Sequence, residues 1–282
     1  MLFIPVKLQI TIVIALIVAA TVDAGAQHVS FELATDAAGL TGVGKDQAAW
    51  VDYNDDGWTD LQTAKAIWAN NRGKTFVKSG PGGLYNAWAD LNNNGRIDFF
   101  NPGSGTVNFQ NADGTFKPVQ LPDRVNKVSD GGTCADVDGN GRADLYWGGY
   151  ELERVSQPDA LYLNISRLGI VKVWHKQDPT HPTRGITACD FDNDGDTDIY
   201  LTRYRLEPNA LLINGGVGKQ GDSRTGSFAE GADVHGVTGS NGHGIGSAWG
   251  DLDNDGLFDL FAGNAAKPGQ PQSQFLKNLG PD

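Results

Sequence analysis

The stretch "DFDNDGDTDIY", Asp190 to Tyr200, places five aspartates within nine residues and runs at once into Ile199 and Tyr200. Asp and Gly disfavour strands, whereas Ile and Tyr favour them. The change marks a turn that feeds a strand, and the chain writes it five times. "DYNDDGWTDL" begins at Asp52, "DLNNNGRIDF" at Asp90, "DVDGNGRADL" at Asp136, "DFDNDGDTDI" at Asp190 and "DLDNDGLFDL" at Asp251. All fit D-x-[DN]-x-[DN]-G-x-x-D followed by an apolar residue, and their starts lie 38, 46, 54 and 61 residues apart. Repetition of this kind is the mark of a stacked or radial array.

The spacing has a chemical reading. Calcium is a hard cation that takes oxygen ligands, many of them carboxylates, and a tight loop can aim positions 1, 3 and 5 at one centre. Glycine at position 6 permits the sharp turn, position 7 offers a backbone carbonyl, and position 9 returns a carboxylate. The candidate ligands are Asp52, Asn54, Asp56, Trp58 and Asp60 in the first loop, and Asp90, Asn92, Asn94, Arg96 and Asp98 in the second. The third loop contributes Asp136, Asp138, Asn140, Arg142 and Asp144, and the fourth Asp190, Asp192, Asp194, Asp196 and Asp198. Asp251, Asp253, Asp255, Leu257 and Asp259 complete the fifth. An EF-hand needs glutamate at position 12 and flanking helices. Position 12 here is Thr63, Asn101, Trp147, Leu201 or Ala262, and the flanks are strand-like, which excludes that motif. Ordinary Asx turns are the alternative, yet carboxylates converging without a cation would repel one another. More ligand charge gives tighter binding. The Asp190 and Asp251 loops are therefore expected to bind most tightly and the Asp90 loop, with two carboxylates, most weakly. Five Ca2+ ions would bring the formal charge of −12 to about −2.

Between the loops a second element recurs: "TVNFQNADGTFKPVQL", "PDALYLNIS", "PNALLINGG" with "GSFAEGA", "QSQFLKNLG" and a compressed "AIWANNRGKTFVKSG". Each unit then supplies four short strands, and four-stranded units repeated radially build a β-propeller. An all-β propeller of about five blades is expected over 27–282. "FELATDAAGLTG", from Phe31, aligns with "FAEGADVHGVTG", from Phe228. A spare first strand could therefore pair with an incomplete last blade and close the ring, leaving no open edge. A piece of a larger propeller is the other reading.

Ahead of this, residues 1–26 read as a signal peptide: one early lysine, an apolar run of about 13 residues and "AGA" at Ala24 to Ala26. The run is short of the ~20 residues that span a bilayer as a helix, so no membrane span is expected after cleavage. Secreted, periplasmic or cell-surface locations fit. The acidic charge argues against nucleic acid as a partner. Two cysteines are too few for a disulfide scaffold. Cys134 stands two residues before its loop and Cys189 one, so they point from opposite strand faces; a bridge between blades and two separate thiols are both open.

Other signals are weaker. "GLTGVGKD", Gly39 to Asp46, approximates a phosphate loop, but Asp46 stands where a hydroxyl residue is needed. Trp50, Trp88 and Trp249 each precede a loop by two residues and are expected to pack between blades, leaving Trp58, Trp68, Trp147 and Trp174 as candidates for a binding surface. His28, His175, His181, His235 and His243 show no metal-ligand spacing, and no G-x-S-x-G elbow occurs.

The D-x-D-x-D-G-x-x-D-L loops with "PNALLINGG" and "NADGTF" segments resemble the FG-GAP/VCBS repeats of integrin-alpha-like propellers, and most closely those of secreted bacterial repeat proteins and the cartilage-acidic-protein group. The resemblance covers essentially the whole mature chain and implies calcium at the five loops. The expected function is a non-catalytic binding or adhesion module for an extracellular protein or carbohydrate. The rival expectation is the scaffold of an extracellular polysaccharide-active enzyme. Acids lining one pocket away from the loops would favour the enzyme, and an aromatic or polar rim would favour binding.

Overall fold

The computed structural model describes residues 32–43, 47–124, 126–166, 169–175, 181–216 and 228–281, the side chains of Trp174 and His175 excepted. The expected leader at 1–26, His28, Phe31, Lys45 and Asp46 lie outside them. Residues Thr35–Asp282 form one compact unit.

Five small antiparallel sheets are arranged as a five-bladed β-propeller. Blade one is β1 (Ala48–Val51), β2 (Asp60–Thr63), β3 (Ala66–Asn71) and β4 (Thr75–Pro81). Blade two is β5 (Ala87–Ala89), β6 (Asp98–Asn101), β7 (Thr106–Gln110) and β8 (Phe116–Gln120). In blade three, β9 (Gly131–Ala135) and β10 (Asp144–Gly148) are followed by a small hairpin, β11 (Glu151–Leu152) and β12 (Val155–Ser156), before β13 (Ala160–Ser166) and β14 (Gly169–His175) complete the sheet. Blade four is β15 (Thr183–Cys189), β16 (Asp198–Arg203), β17 (Ala210–Asn214) and β18 (Phe228–Glu230). Blade five is β19 (Gly244–Gly250), β20 (Asp259–Asn264) and β21 (Gln274–Leu276). A 3-10 turn at Gly239–Asn241 leads into it. No helix among the described residues is long and apolar enough to cross a membrane.

Each blade enters its acidic loop from the first strand and leaves it by the second, as the register Val51 opposite Asp60 and Cys189 opposite Asp198 shows. Side chains alternate across a strand, and in the inner blades both faces are buried between neighbouring blades. Leu145 and Trp147 pack back against Phe100 and Val107 of blade two, while Tyr146 between them packs forward with Ile199 and Leu201 of blade four. Tyr200 in turn meets Leu260 and Ala262 of blade five. This two-sided burial is why the strands after each loop read as unbroken apolar runs rather than alternating ones. Trp147 is fully buried and gives its Nε1–H to Pro102 O, which removes it from the expected binding surface.

Trp249 packs between blades as expected, edge-on to Tyr200 of blade four at 6.0 Å, whereas Trp88 meets Phe99 at 4.8 Å within its own blade. Trp50 departs from that expectation and is 65% exposed, because among the described residues no blade covers its face of blade one. The opposite face of blade five is bare too: Phe261 and Phe275 are 47% and 54% exposed, whereas the equivalent Tyr200 and Leu211 are fully buried. The sequence alignment of the N-terminal segment holds in the backbone. Leu40 N bonds Thr35 O at 2.9 Å as Val237 N bonds Ala232 O at 2.8 Å. Glu32–Ala34 form no strand, and among the described residues the fifth sheet ends at β21. Cys134 and Cys189 are free thiols, and burial pushes the Cys189 thiol up to about 12.

Candidate metal centre and binding face

The five loops share one hydrogen-bond plan. The first aspartate accepts from the backbone N–H of positions 5 and 6: Asp194 and Gly195 reach Asp190 at 3.1 and 3.0 Å, and Asn140 and Gly141 reach Asp136 at 3.1 and 2.7 Å. The Asp52, Asp90 and Asp251 loops repeat both bonds. Position 5 accepts from the N–H of position 7, as in Arg96 to Asn94 at 2.9 Å and Trp58 to Asp56 at 2.9 Å. Gly195 sits at φ 91° and the fourth residue, Asn193, at φ 58°. Those left-handed conformations explain glycine at position 6 and Asn, Asp or Gly at position 4.

Position 9 does something the sequence did not announce. Asp60, Asp98, Asp144, Asp198 and Asp259 are all buried. One oxygen of each accepts the N–H of the residue after the first aspartate: Tyr53, Leu91, Val137, Phe191 and Leu252. The other accepts the N–H of a residue at or near the end of the third strand, Asn70, Gln110, Asn164 or Asn214, or just past it, Asn278, at 2.7–2.9 Å. Each carboxylate therefore clamps the loop base to the blade and keeps spare lone pairs for a cation. Burial pushes the Asp98 carboxyl up to about 6 and those of Asp144 and Asp198 up to about 7, with neighbouring loop aspartates adding to the rise.

Three loops gather carboxylates tightly enough to hold a metal ion. Asp136, Asp138 and Asp144 bring oxygens within 4.8 Å of one another, as do Asp190, Asp192 and Asp194, and Asp251, Asp253 and Asp255. Their all-oxygen donors suit a hard cation. Asn92 Oδ1, in the Asp90 loop, is buried with no hydrogen-bond partner, which fits a ligand position there as well. In the Asp52 loop Asn54 turns its Nδ2 onto Asp56 at 3.1 Å. In the Asp251 loop Lys277 places its ammonium against Asp253 and 3.7 Å from Asp255. That cation already offsets charge in a loop expected to bind most tightly.

The opposite face of the propeller carries a different chemistry. Arg184 lies between two tyrosine rings, 5.1 Å from Tyr150 and 4.9 Å from Tyr204. Tyr204 also meets His243 at 4.6 Å, and Arg205 pairs with Glu151 through two bonds of 2.9 Å. The Arg205 bond holds the Glu151 carboxyl below its ordinary range. Beside this rim an axial cavity of about 290 Å3 is lined from all five blades, including Ala48, Asn86, Asp130, Thr187 and Ser247. Asp130 is engaged by Arg184 at 3.1 Å. Close approach at the axis requires glycine, since a Cβ on Gly185 would lie 2.6 Å from Gly246 Cα. Sequence reasoning missed Tyr150 and Tyr204, because nothing in their local pattern separates them from core tyrosines. Trp68 is half-buried and bonded to Thr63, and Trp58 is partly exposed beside its own loop.

The fold and the acidic loops thus define a five-bladed β-propeller with repeated sites that could hold metal ions. No protein-family model matches the chain. It is similar to cartilage acidic protein 1 of Xenopus tropicalis, 28% identical over 182 residues, covering 61% of this chain and 27% of that protein. The Mus musculus protein of the same name is 27% identical over 200 residues, covering 68% and 28%. The chain therefore spans about a quarter of the length of these relatives. Among solved structures, the V. cholerae biofilm matrix protein Bap1 aligns at a TM-score of 0.35 and 16% identity, over 76% of this chain and 34% of that one.

Proposed function

We propose that this chain is an exported, calcium-stabilised propeller of the FG-GAP/VCBS type that acts as a non-catalytic binding module for an extracellular protein or carbohydrate. The observation that carries the reading is the Tyr150–Arg184–Tyr204 rim beside the axial cavity. Stacked aromatic and guanidinium planes offer flat surfaces and fixed donors, the equipment of recognition rather than of bond cleavage. Hydrolysis by paired carboxylates needs two acids free to act, and Asp130 and Glu151 are each bound to an arginine. The similarity to cartilage acidic protein 1 supports the exported setting. Calcium at the loops would neutralise converging aspartates and hold the hairpin tips.

Two measurements test this. Calorimetric calcium titration with melting in chelator should give several ions per chain and a large loss of melting temperature on chelation; no uptake and no shift would sink the calcium reading. Binding of the calcium-loaded protein to immobilised extracellular polysaccharides and matrix proteins should be lost in Tyr150→Ala/Tyr204→Ala. Retained binding in that variant would move the ligand site elsewhere, and polysaccharide cleavage by the wild type would favour the enzyme reading.

A further inference from the structure

The Asp90 loop is the one with asparagine at both positions 3 and 5, and beside it a cavity of about 560 Å3 opens between blades two and three. Asn92 and Asn94 form part of its wall. The interior is apolar, built from Val107, Phe109, Val119, Leu121 and Ile170. Val119 is 41% exposed and Lys117 is exposed, so the mouth lies at the rim between the outer strands.

The charge around this cavity runs against that of the molecule. The chain holds 34 acidic residues, yet none lines the cavity, while Arg96 and Lys117 do. Arg96 gives its Nε–H to Gln110 O at 3.1 Å, and among the described residues neither cation forms an ion pair. The contrast is a comparable cavity between blades four and five, where the lining lysine, Lys277, is already paired with Asp253. An apolar interior with two cations that form no ion pair among the described residues fits a ligand with an apolar body and an anionic head. The two asparagines remove the carboxylates that would repel such a head.

We propose that the cavity between blades two and three binds a small amphipathic carboxylate, its head at Arg96 and Lys117 and its chain against Val107, Phe109 and Ile170. The site stands on the cavity and its charges alone, so its test is informative whether or not the opposite face binds an extracellular polymer.

Dodecanoate titrated calorimetrically into the full chain in calcium is the test. One molecule per chain is expected. Arg96→Gln/Lys117→Gln should weaken binding about tenfold or more, through loss of charge-assisted bonds. Val119→Asp should weaken it comparably, by placing a like charge at the mouth. Both variants alter side chains at the cavity mouth, and an unchanged melting temperature shows that they fold. Phe261→Ser, on the bare face of blade five, should leave binding unchanged. No uptake by the wild type overturns the proposal. So do equal affinity in the double variant, dodecanol binding as tightly as dodecanoate, and loss of binding in Phe261→Ser.

Discussion

Lys277 contacts Asp253 from 24 residues away and stands where charge count alone predicts strong metal binding. A resident ammonium must be displaced before a cation can enter, so the fifth loop should bind more weakly than the Asp190 loop although both carry aspartate at positions 1, 3, 5 and 9. Lys277→Met should tighten calcium at that loop several-fold in a competition titration; an unchanged set of affinities would show that the lysine does not compete. The position-9 aspartates make a second prediction. Their ordinary pKa is 3.8, and burial raises Asp144 and Asp198 to about 7. A raised carboxyl favours the protonated form in the fold. Its contribution is complete below the ordinary value and is lost as pH rises through about 7. In chelator the melting temperature should therefore fall between about pH 4 and pH 7, and Asp198→Asn should flatten the slope. A flat profile in the chelated wild type would contradict this.

At the scale of the element, the blades are joined by one repeated bond. A side-chain amide Nδ2 or Nε2 at or near the end of the third strand, or just past it in blade five, donates to a carbonyl in the blade before. Gln110 reaches Tyr53, Asn164 reaches Leu91, Asn214 reaches Val137 and Asn278 reaches Phe191, at 2.8, 2.5, 2.8 and 2.9 Å. Asn70 of blade one bonds Thr59 of its own blade, and among the described residues it has no carbonyl of another blade to reach. Asn164→Ala and Asn214→Ala, which strand a buried carbonyl, should each cost about 2–3 kcal/mol, and Asn70→Ala about 1 kcal/mol. Urea unfolding in calcium would check the ranking, and equal costs would deny the bond a role between blades. The recurring asparagine was visible in "ALYLN", "LLIN" and "FLKN", but its partner was not, because donor and acceptor are 57 to 87 residues apart.

For the molecule as a whole, stability is an array of interfaces between blades, and the two outermost faces differ from the rest. Leu211 is fully buried against blade five, while Phe275, its counterpart one blade on, is 54% exposed. Leu211→Ala should cost about 2–5 kcal/mol by leaving a cavity, and Phe275→Ala less than about 1 kcal/mol. A large loss in Phe275→Ala, measured by the same unfolding, would mean that its face is covered in solution. The blade count and the loop-to-strand order were legible in the sequence, since each repeat carries its own loop, turn glycine and apolar run. The bare faces were not, because they depend on which blade stands next to which.

What the sequence by itself determined is the loop. The bonds that turn the loop join residues within seven positions of one another, and the glycine and Asx positions meet its left-handed turns wherever the motif occurs, whereas the second oxygen of the ninth-position aspartate reaches a strand 10 to 20 residues further on. Tertiary structure decided the rest. Whether a loop's aspartates share a lysine, or its asparagines border an acid-free cavity, depends on side chains brought in from other strands and blades. So does the pairing of Arg184 with Tyr150 and Tyr204, which lie on separate loops. The physical reason is range: local hydrogen bonds follow from residue order, whereas packing between blades exists only once the sheets are assembled.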